Sequence, residues 1–146
     1  MNKTILLVED NLSDADLTRR ALSKCRIANE LVVVEDGQEA IDYLCGEGSY
    51  AAPHARESPA LILLDLKLPK IPGLEVLRFI RSHVKIRRIP IVILTSSKEE
   101  EDIASGYDLG VNSYVRKPVD FKEFQSVIET LGLYWLLHNE PHPPVK

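Results

Sequence analysis

Five short apolar runs, separated by helix-like segments, constrain this chain more than any other feature. The runs are TILLVE (4–9), ELVVVE (30–35), ALILLD (60–65), IPIVILT (89–95) and NSYV (112–115). The first four are almost unbroken. A strand with one wet face alternates apolar and polar residues, whereas a strand covered on both faces does not. The runs therefore predict a parallel sheet with helices on each side.

The segments between the runs carry helical spacing. Ser13-Asp14-Ala15-Asp16 reads as a capped start, with Leu17, Ala21 and Cys25 following at i, i+4 and i+8. Gly37-Gln38-Glu39-Ala40 opens a second helix with Ala40, Tyr43 and Leu44 on one side. Gly73 to Val84 places Leu74, Leu77, Ile80 and Val84 on one stripe. Lys98 to Leu109 begins with Glu99, Glu100, Glu101 and Asp102, and negative charge in a first turn suits the helix dipole. Asp120 to Leu131 carries Phe121, Phe124, Ile128 and Leu131. The order is (βα)5, and right-handed crossovers with short connections make it an open, doubly wound α/β sheet.

The chain has 146 residues, 45% apolar and 27% charged, enough for one domain with a real core. A net charge of −4 without a basic half argues against nucleic-acid binding. The basic cluster RSHVKIRR (81–88) reads as a solvated helix end. No apolar stretch approaches a membrane span, and Met1-Asn2-Lys3 leads directly into the first run, so we expect a cytoplasmic protein with no membrane partner. Cys25 and Cys45 lack metal-ligand spacing and read as reduced thiols, a disulfide being the alternative. Gly46 to Pro59 reads as a surface loop, and the proline-rich HNEPHPPVK as a fraying tail.

In open parallel sheets ligands bind at the carboxyl ends of the strands. Here the first run ends in Glu9-Asp10, the third in Asp65 and the fourth in Thr95, followed by Ser96 and Ser97; Lys117-Pro118 follows the fifth. Three carboxylates on one rim repel each other, and proton uptake, a lysine or a metal ion must offset that. Hard oxygen donors suit Mg²⁺. None of His54, His83, His138 and His142 is placed for zinc. Mg²⁺, a free aspartate, a hydroxyl and a lysine together suit phosphoryl transfer, with the carboxylate as nucleophile and the cations neutralising the transferring group.

The motifs LLVEDN (6–11), LLDLKLPKIPG (63–73), VILTSS (92–97) and YVRKP (114–118) resemble those of the receiver domains of two-component response regulators. The resemblance covers residues 3 to about 131. It implies a flavodoxin-like sheet of strand order 2-1-3-4-5 and a phospho-accepting signalling protein, not an enzyme that turns over a free substrate. Asp65 would accept the phosphoryl group. Asp10 would bind Mg²⁺ directly, Glu9 through water, with Asp65 and the backbone carbonyl of Lys67 as further ligands. Lys117 would pair with the phosphoryl group, or with Asp65 before it arrives. Thr95 and Tyr114 would be the switch residues, remodelling the face formed by the fourth helix, fifth strand and fifth helix. Lys117–Pro118 would be a cis peptide, and Gly73 would allow the turn into the third helix.

The segment LGLYWLLHNEPHPP (131–144) continues apolar past the point where a receiver's last helix ends. Together with the loop after the second helix and the segment TSSKEEEDI (95–103), it makes the chain similar to the stand-alone response regulators paired with bacterial and cyanobacterial phytochromes. That likeness implies a receiver over 1–131, a C-terminal extension over 132–146 with no output domain, a phytochrome-type sensor histidine kinase as partner, and a downstream phosphotransfer or target protein. An exposed apolar patch marks an interface, so we expect a homodimer built on residues 131 to 137, with Leu133, Tyr134, Trp135 and Leu137, and on the face from the fourth to the fifth helix; the alternative is that the segment folds back over its own core. A Mg²⁺-dependent phosphohydrolase would want a second carboxylate two residues after Asp65, where Lys67 stands. A nucleotide- or flavin-binding domain would want a Gly-rich loop after the first run, and none is present.

Overall fold

A computed structural model describes residues 3–24, 29–51 and 58–143. Strands β1 (Thr4–Val8), β2 (Glu30–Val34), β3 (Leu61–Leu64), β4 (Ile91–Thr95) and β5 (Ser113–Arg116) alternate with helices α1 (Leu12–Ser23), α2 (Gly37–Cys45), α3 (Gly73–Ser82), α4 (Glu100–Asp108) and α5 (Phe121–Leu133). The strands form one sheet in the order β2-β1-β3-β4-β5, and every pairing is parallel. This is the expected (βα)5 architecture and strand order.

Strand pleating divides the unbroken apolar runs between two cores. Leu6, Val8, Ile62, Leu64, Ile91 and Ile93 face Ala40 and Tyr43 of α2 and Val76, Leu77 and Ile80 of α3. Ile5, Leu7, Leu61, Leu63, Val92 and Leu94 face Ala15, Ala21 and Leu22 of α1 and Phe124 and Ile128 of α5. All twelve strand residues are essentially inaccessible to solvent. Each such side chain contributes about 1.5–3 kcal/mol by burial, so the strand ends that carry the polar groups stand on a stiff base.

Several element limits differ from the sequence expectation. Helix α1 is capped by Asn11, whose side chain accepts from the Asp14 amide, not by Ser13. Helix α3 stops at Ser82, and Val84 lies beyond it, exposed. Phe121 sits at the exposed start of α5 instead of on its buried stripe. Cys45 is a free thiol, while Cys25 and His54 fall outside the described residues.

The C-terminal extension takes a middle course. After α5 the chain makes a five-residue π-helical turn, Tyr134–His138. Leu136 is buried in the core beneath α1 and α5, and Trp135 packs partly against it. The Lys3 ammonium donates to the Leu136 carbonyl, tying the turn to the start of β1. Leu133, Tyr134 and Leu137 remain exposed. Of the five apolar residues from Leu133 to Leu137, Trp135 and Leu136 fold onto their own domain and the other three face outward.

Candidate functional site

Asp65 follows directly on β3 and is almost fully buried. Its Oδ1 accepts from the Leu66 amide at 2.7 Å, the Thr95 hydroxyl at 2.7 Å and, more weakly, the Lys67 amide at 3.4 Å. Its Oδ2 accepts from Lys117 Nζ at 3.0 Å. The turn behind it needs glycine at position 73, because a Cβ there would lie 2.2 Å from the Asp65 carbonyl oxygen. The following loop is held at Lys70, whose φ of 65° is left-handed and whose ammonium pairs with Asp36 at 3.5 Å.

Glu9 is buried at the end of β1, with Oε2 accepting from the Asn11 amide at 3.2 Å and Oε1 from Lys117 Nζ at 2.5 Å. Asp10 beside it is exposed. Carboxylate oxygens of Glu9, Asp10 and Asp65 all lie within 4.8 Å of one another. Lys117 makes a third bond, to Asp14 Oδ2 at 2.9 Å. The structure thus assembles Glu9, Asp10, Asp65, Thr95 and Lys117 on one rim, as the strand ends predict, and adds Asp14.

The charges there are strongly coupled. Burial pushes the Glu9 carboxyl up to about 7, with Lys117 pulling against the rise and the Asp65 charge adding to it. Burial also disfavours an ionised Asp65, but the Thr95 hydroxyl and Lys117 outweigh it and hold that carboxyl below its ordinary value. Burial disfavours the Lys117 charge in turn, yet its bonds to Glu9 and Asp14 and the charge of Asp65 raise it above the ordinary lysine value. Carboxylates outnumber ammonium groups, and a buried acid is forced toward neutrality. An all-oxygen donor set short of positive charge fits a hard divalent cation.

Two expectations meet specific outcomes. The Lys117–Pro118 peptide is trans, not cis: the described residues contain no cis peptide bond. Trans is favoured before proline by about 0.5–1 kcal/mol. Lys117 reaches the rim from it, its amide bound to the Thr95 carbonyl at 2.7 Å and its ammonium drawn in by three carboxylates. Thr95, expected as a switch residue, directs its hydroxyl to Asp65.

A hydrogen-bonded chain leads away from Thr95. The Ser97 amide donates to Thr95 Oγ1 at a long 3.4 Å, the Ser97 hydroxyl to Asp102 of α4 at 2.6 Å, and the Tyr114 hydroxyl to the Ser97 carbonyl at 3.0 Å. Ser97 therefore binds α4 and β5 to the loop after β4. Sequence reasoning placed Ser97 only beside the rim and missed its role as a tie. Asp14 was legible only as a helix-cap residue, although it lies one helical turn beyond Asp10 and shares its end of the sheet.

Residues 5–129 match the family described as response regulator receiver domain. The response regulator Rcp1 of Synechocystis sp. (strain ATCC 27184 / PCC 6803 / Kazusa) is 39% identical over 134 residues, covering 92% of this chain and 89% of Rcp1. The crystal structure of the Mn²⁺-bound form of Rcp1 aligns with a TM-score of 0.90 at 37% identity, covering 97% of this chain and 99% of that one. The crystal structure of the phosphorylated cyanobacterial phytochrome response regulator RcpA aligns at 0.91 with 40% identity, covering 98% of this chain and 100% of that one. The bacteriophytochrome response regulator RtBRR is 52% identical with a TM-score of 0.77, covering 99% of this chain and 87% of that one.

Proposed function

The chain belongs to the response regulator receiver domain family, and from that premise we propose that it accepts a phosphoryl group on Asp65 from a phytochrome-type sensor histidine kinase. One observation carries the reading. Asp65 is fixed at a strand end between a hydroxyl, a lysine and two further carboxylates, with each of its oxygens already oriented by a donor.

In the transfer, a carboxylate oxygen of Asp65 forms a bond to phosphorus. The phosphorus–nitrogen bond of the kinase phosphohistidine breaks, and the imidazole leaves with that electron pair. Glu9, Asp10, Asp65 and the Lys67 backbone carbonyl would hold Mg²⁺, which supplies positive charge for the phosphoryl oxygens. The Leu66 amide and the Thr95 hydroxyl orient the nucleophile. Lys117 supplies a second positive charge.

The same proton of Thr95 then changes acceptor, from Asp65 to a phosphoryl oxygen. Ser97 and Tyr114 lie next along the chain of bonds, so the change reaches α4 and β5. A partner that prefers the new arrangement of the α4–β5–α5 face binds it more tightly. The likeness to RcpA, a cyanobacterial phytochrome response regulator, and to RtBRR, a bacteriophytochrome response regulator, supports a phytochrome-type kinase. Exposed Leu133, Tyr134 and Leu137 support a homodimer on the outer side of the extension. Replacing Leu133 and Leu137 by Glu, which spares the buried Leu136, yields a monomer in light scattering; an unchanged dimer removes that surface.

The deciding experiment is intact mass after incubation with acetyl phosphate and Mg²⁺, beside an Asp65→Asn control. A single phosphoryl adduct that needs both Mg²⁺ and Asp65 supports the reading. No adduct, under conditions that label a known receiver, overturns it.

A further inference from the structure

The Lys117 ammonium has three N–H bonds, and all three are occupied, by Glu9 at 2.5 Å, Asp14 at 2.9 Å and Asp65 at 3.0 Å. A phosphoryl oxygen that is to be bound by Lys117 must therefore displace one of these partners. Glu9 and Asp65 are 2% and 9% exposed in their side chains, whereas Asp14 is 27% exposed. A carboxylate with access to water is released at the lowest cost, because water replaces the lost bond. Before Asp65 bonds phosphorus, Asp14 is thus the partner that exchanges most readily.

Asp14 is also well placed to keep competing. The α1 cap fixes its backbone: its amide donates to Asn11 Oδ1 at 3.0 Å, and its carbonyl accepts from the Thr18 hydroxyl at 2.8 Å. Among the described residues, Lys117 is the only cation its carboxylate pairs with. Asp14 Oδ2 and Asp65 Oδ2 accept from the same nitrogen. The Asp14 carboxylate there both occupies the lysine and repels an incoming dianion.

We propose that Asp14 is a positioning residue that competes with the phosphoryl group for Lys117, so that α1 restrains phosphorylation at Asp65. The inference rests on the reading of Asp65 as the acceptor. It gives helix α1 a part in setting how readily the site is loaded, through a contact made before loading.

The test compares Asp14→Asn with Asp16→Asn. Asp16 lies on the same helix, carries the same charge and pairs with Arg20 at 3.0 Å. The second variant thus removes equal charge without touching Lys117. Two quantities are read: the rate of adduct formation from acetyl phosphate with Mg²⁺, and the affinity for beryllofluoride, a phosphoryl mimic, by calorimetry. Asp14→Asn raises both about three- to fivefold, the scale of a partly exposed ion pair, and Asp16→Asn changes neither. A purely structural Asp14 would lower both on removal. In the metal-free protein, the ¹⁵N signal of the Lys117 ammonium shifts in Asp14→Asn and stays in place in Asp16→Asn. Unchanged or weakened loading in Asp14→Asn, or equal gains in both variants, overturns the proposal. A wild type that forms no Asp65-dependent adduct overturns the acceptor reading itself, and the proposal falls with it.

Discussion

Replacing Arg81 by Met removes a tie that joins three separate parts of the chain. Its Nε donates to the Gly110 carbonyl at 2.8 Å, Nη1 to the Arg87 and Ile89 carbonyls at 2.9 Å each, and Nη2 to Asn112 Oδ1 at 2.9 Å. Asn112 Oδ1 accepts in addition from the Ile91 amide at 2.8 Å, at the start of β4. One guanidinium thus fixes the turn after α3 against the turn that leads into β5. A hydrogen bond to a charged group is worth about 1.5–3 kcal/mol when buried. Several of these acceptors lie where water can replace the donor, so the four bonds together come to roughly 2–3 kcal/mol. Methionine keeps most of the aliphatic stem, which confines the loss to the bonds. Urea unfolding followed by circular dichroism should show the midpoint falling by about 1 M with an unchanged slope. Arg81→Lys should recover little, because a point charge on a flexible stem cannot span acceptors in three directions. A Met variant within about 0.5 kcal/mol of wild type would refute the reasoning and return Arg81 to the status of a solvated helix-end charge.

Three further outcomes follow from the geometry. Glu9 is raised from 4.5 to about 7, chiefly by burial, so its contribution to the stability of the metal-free protein is complete below pH 4.5 and lost as pH rises through 7. Urea midpoints between pH 5 and 8 should decline accordingly, and Glu9→Gln should flatten that part of the curve. Gly73→Ala places a methyl 2.2 Å from the Asp65 carbonyl and 2.6 Å from Leu66 Cα; backbone atoms must move, at about 1–3 kcal/mol, and the rate of adduct formation on Asp65 falls with the displaced loop. Leu136→Ala should cost about 2–5 kcal/mol at any protein concentration, whereas Leu137→Ser should alter only the concentration dependence of thermal unfolding.

The sheet was legible because burial on both faces leaves a direct mark in sequence: four nearly unbroken apolar runs. The rim was legible for a related reason. A polar or charged residue ending such a run, at Glu9, Asp65 or Thr95-Ser96-Ser97, finds no partner among apolar side chains and must meet other polar groups at the strand end. Asp14 was not legible as a rim residue, since its role depends on the rotation of α1 about its axis, which the cap at Asn11 sets. Arg81 was hidden for another reason. Its acceptors at Gly110 and Asn112 lie about thirty residues away, and nothing local distinguishes it from Arg87 or Arg88. The run LGLYWLL resisted interpretation because an unbroken apolar stretch has no phase. Only the packed structure separates Leu136, turned inward, from Leu137, turned out.

The separation of a stiff frame from a softer rim follows from where hydrogen bonds stand in place of packing. Below the rim the strands meet their neighbours through tightly packed apolar side chains, which resist small displacements. Above it, contact between β3, β4, β5 and α4 runs through Asp65, Thr95, Ser97, Tyr114 and Asp102 by single hydrogen bonds. A hydroxyl has one proton to donate, so Thr95 cannot serve Asp65 and a phosphoryl oxygen together. In the proposed switch, loading the site therefore forces a choice at Thr95, not a graded adjustment. The long Ser97 amide bond to Thr95, at 3.4 Å, is the weakest member of the chain. A change at Thr95 is felt there first, and Ser97 passes it in two directions, to α4 through Asp102 and to β5 through Tyr114. Replacing Ser97 by Ala removes only the first route. The phosphoryl adduct should then still form on Asp65, while amide exchange in α4 no longer responds to it. If α4 responds as in the wild type, the signal leaves the rim by Tyr114 alone.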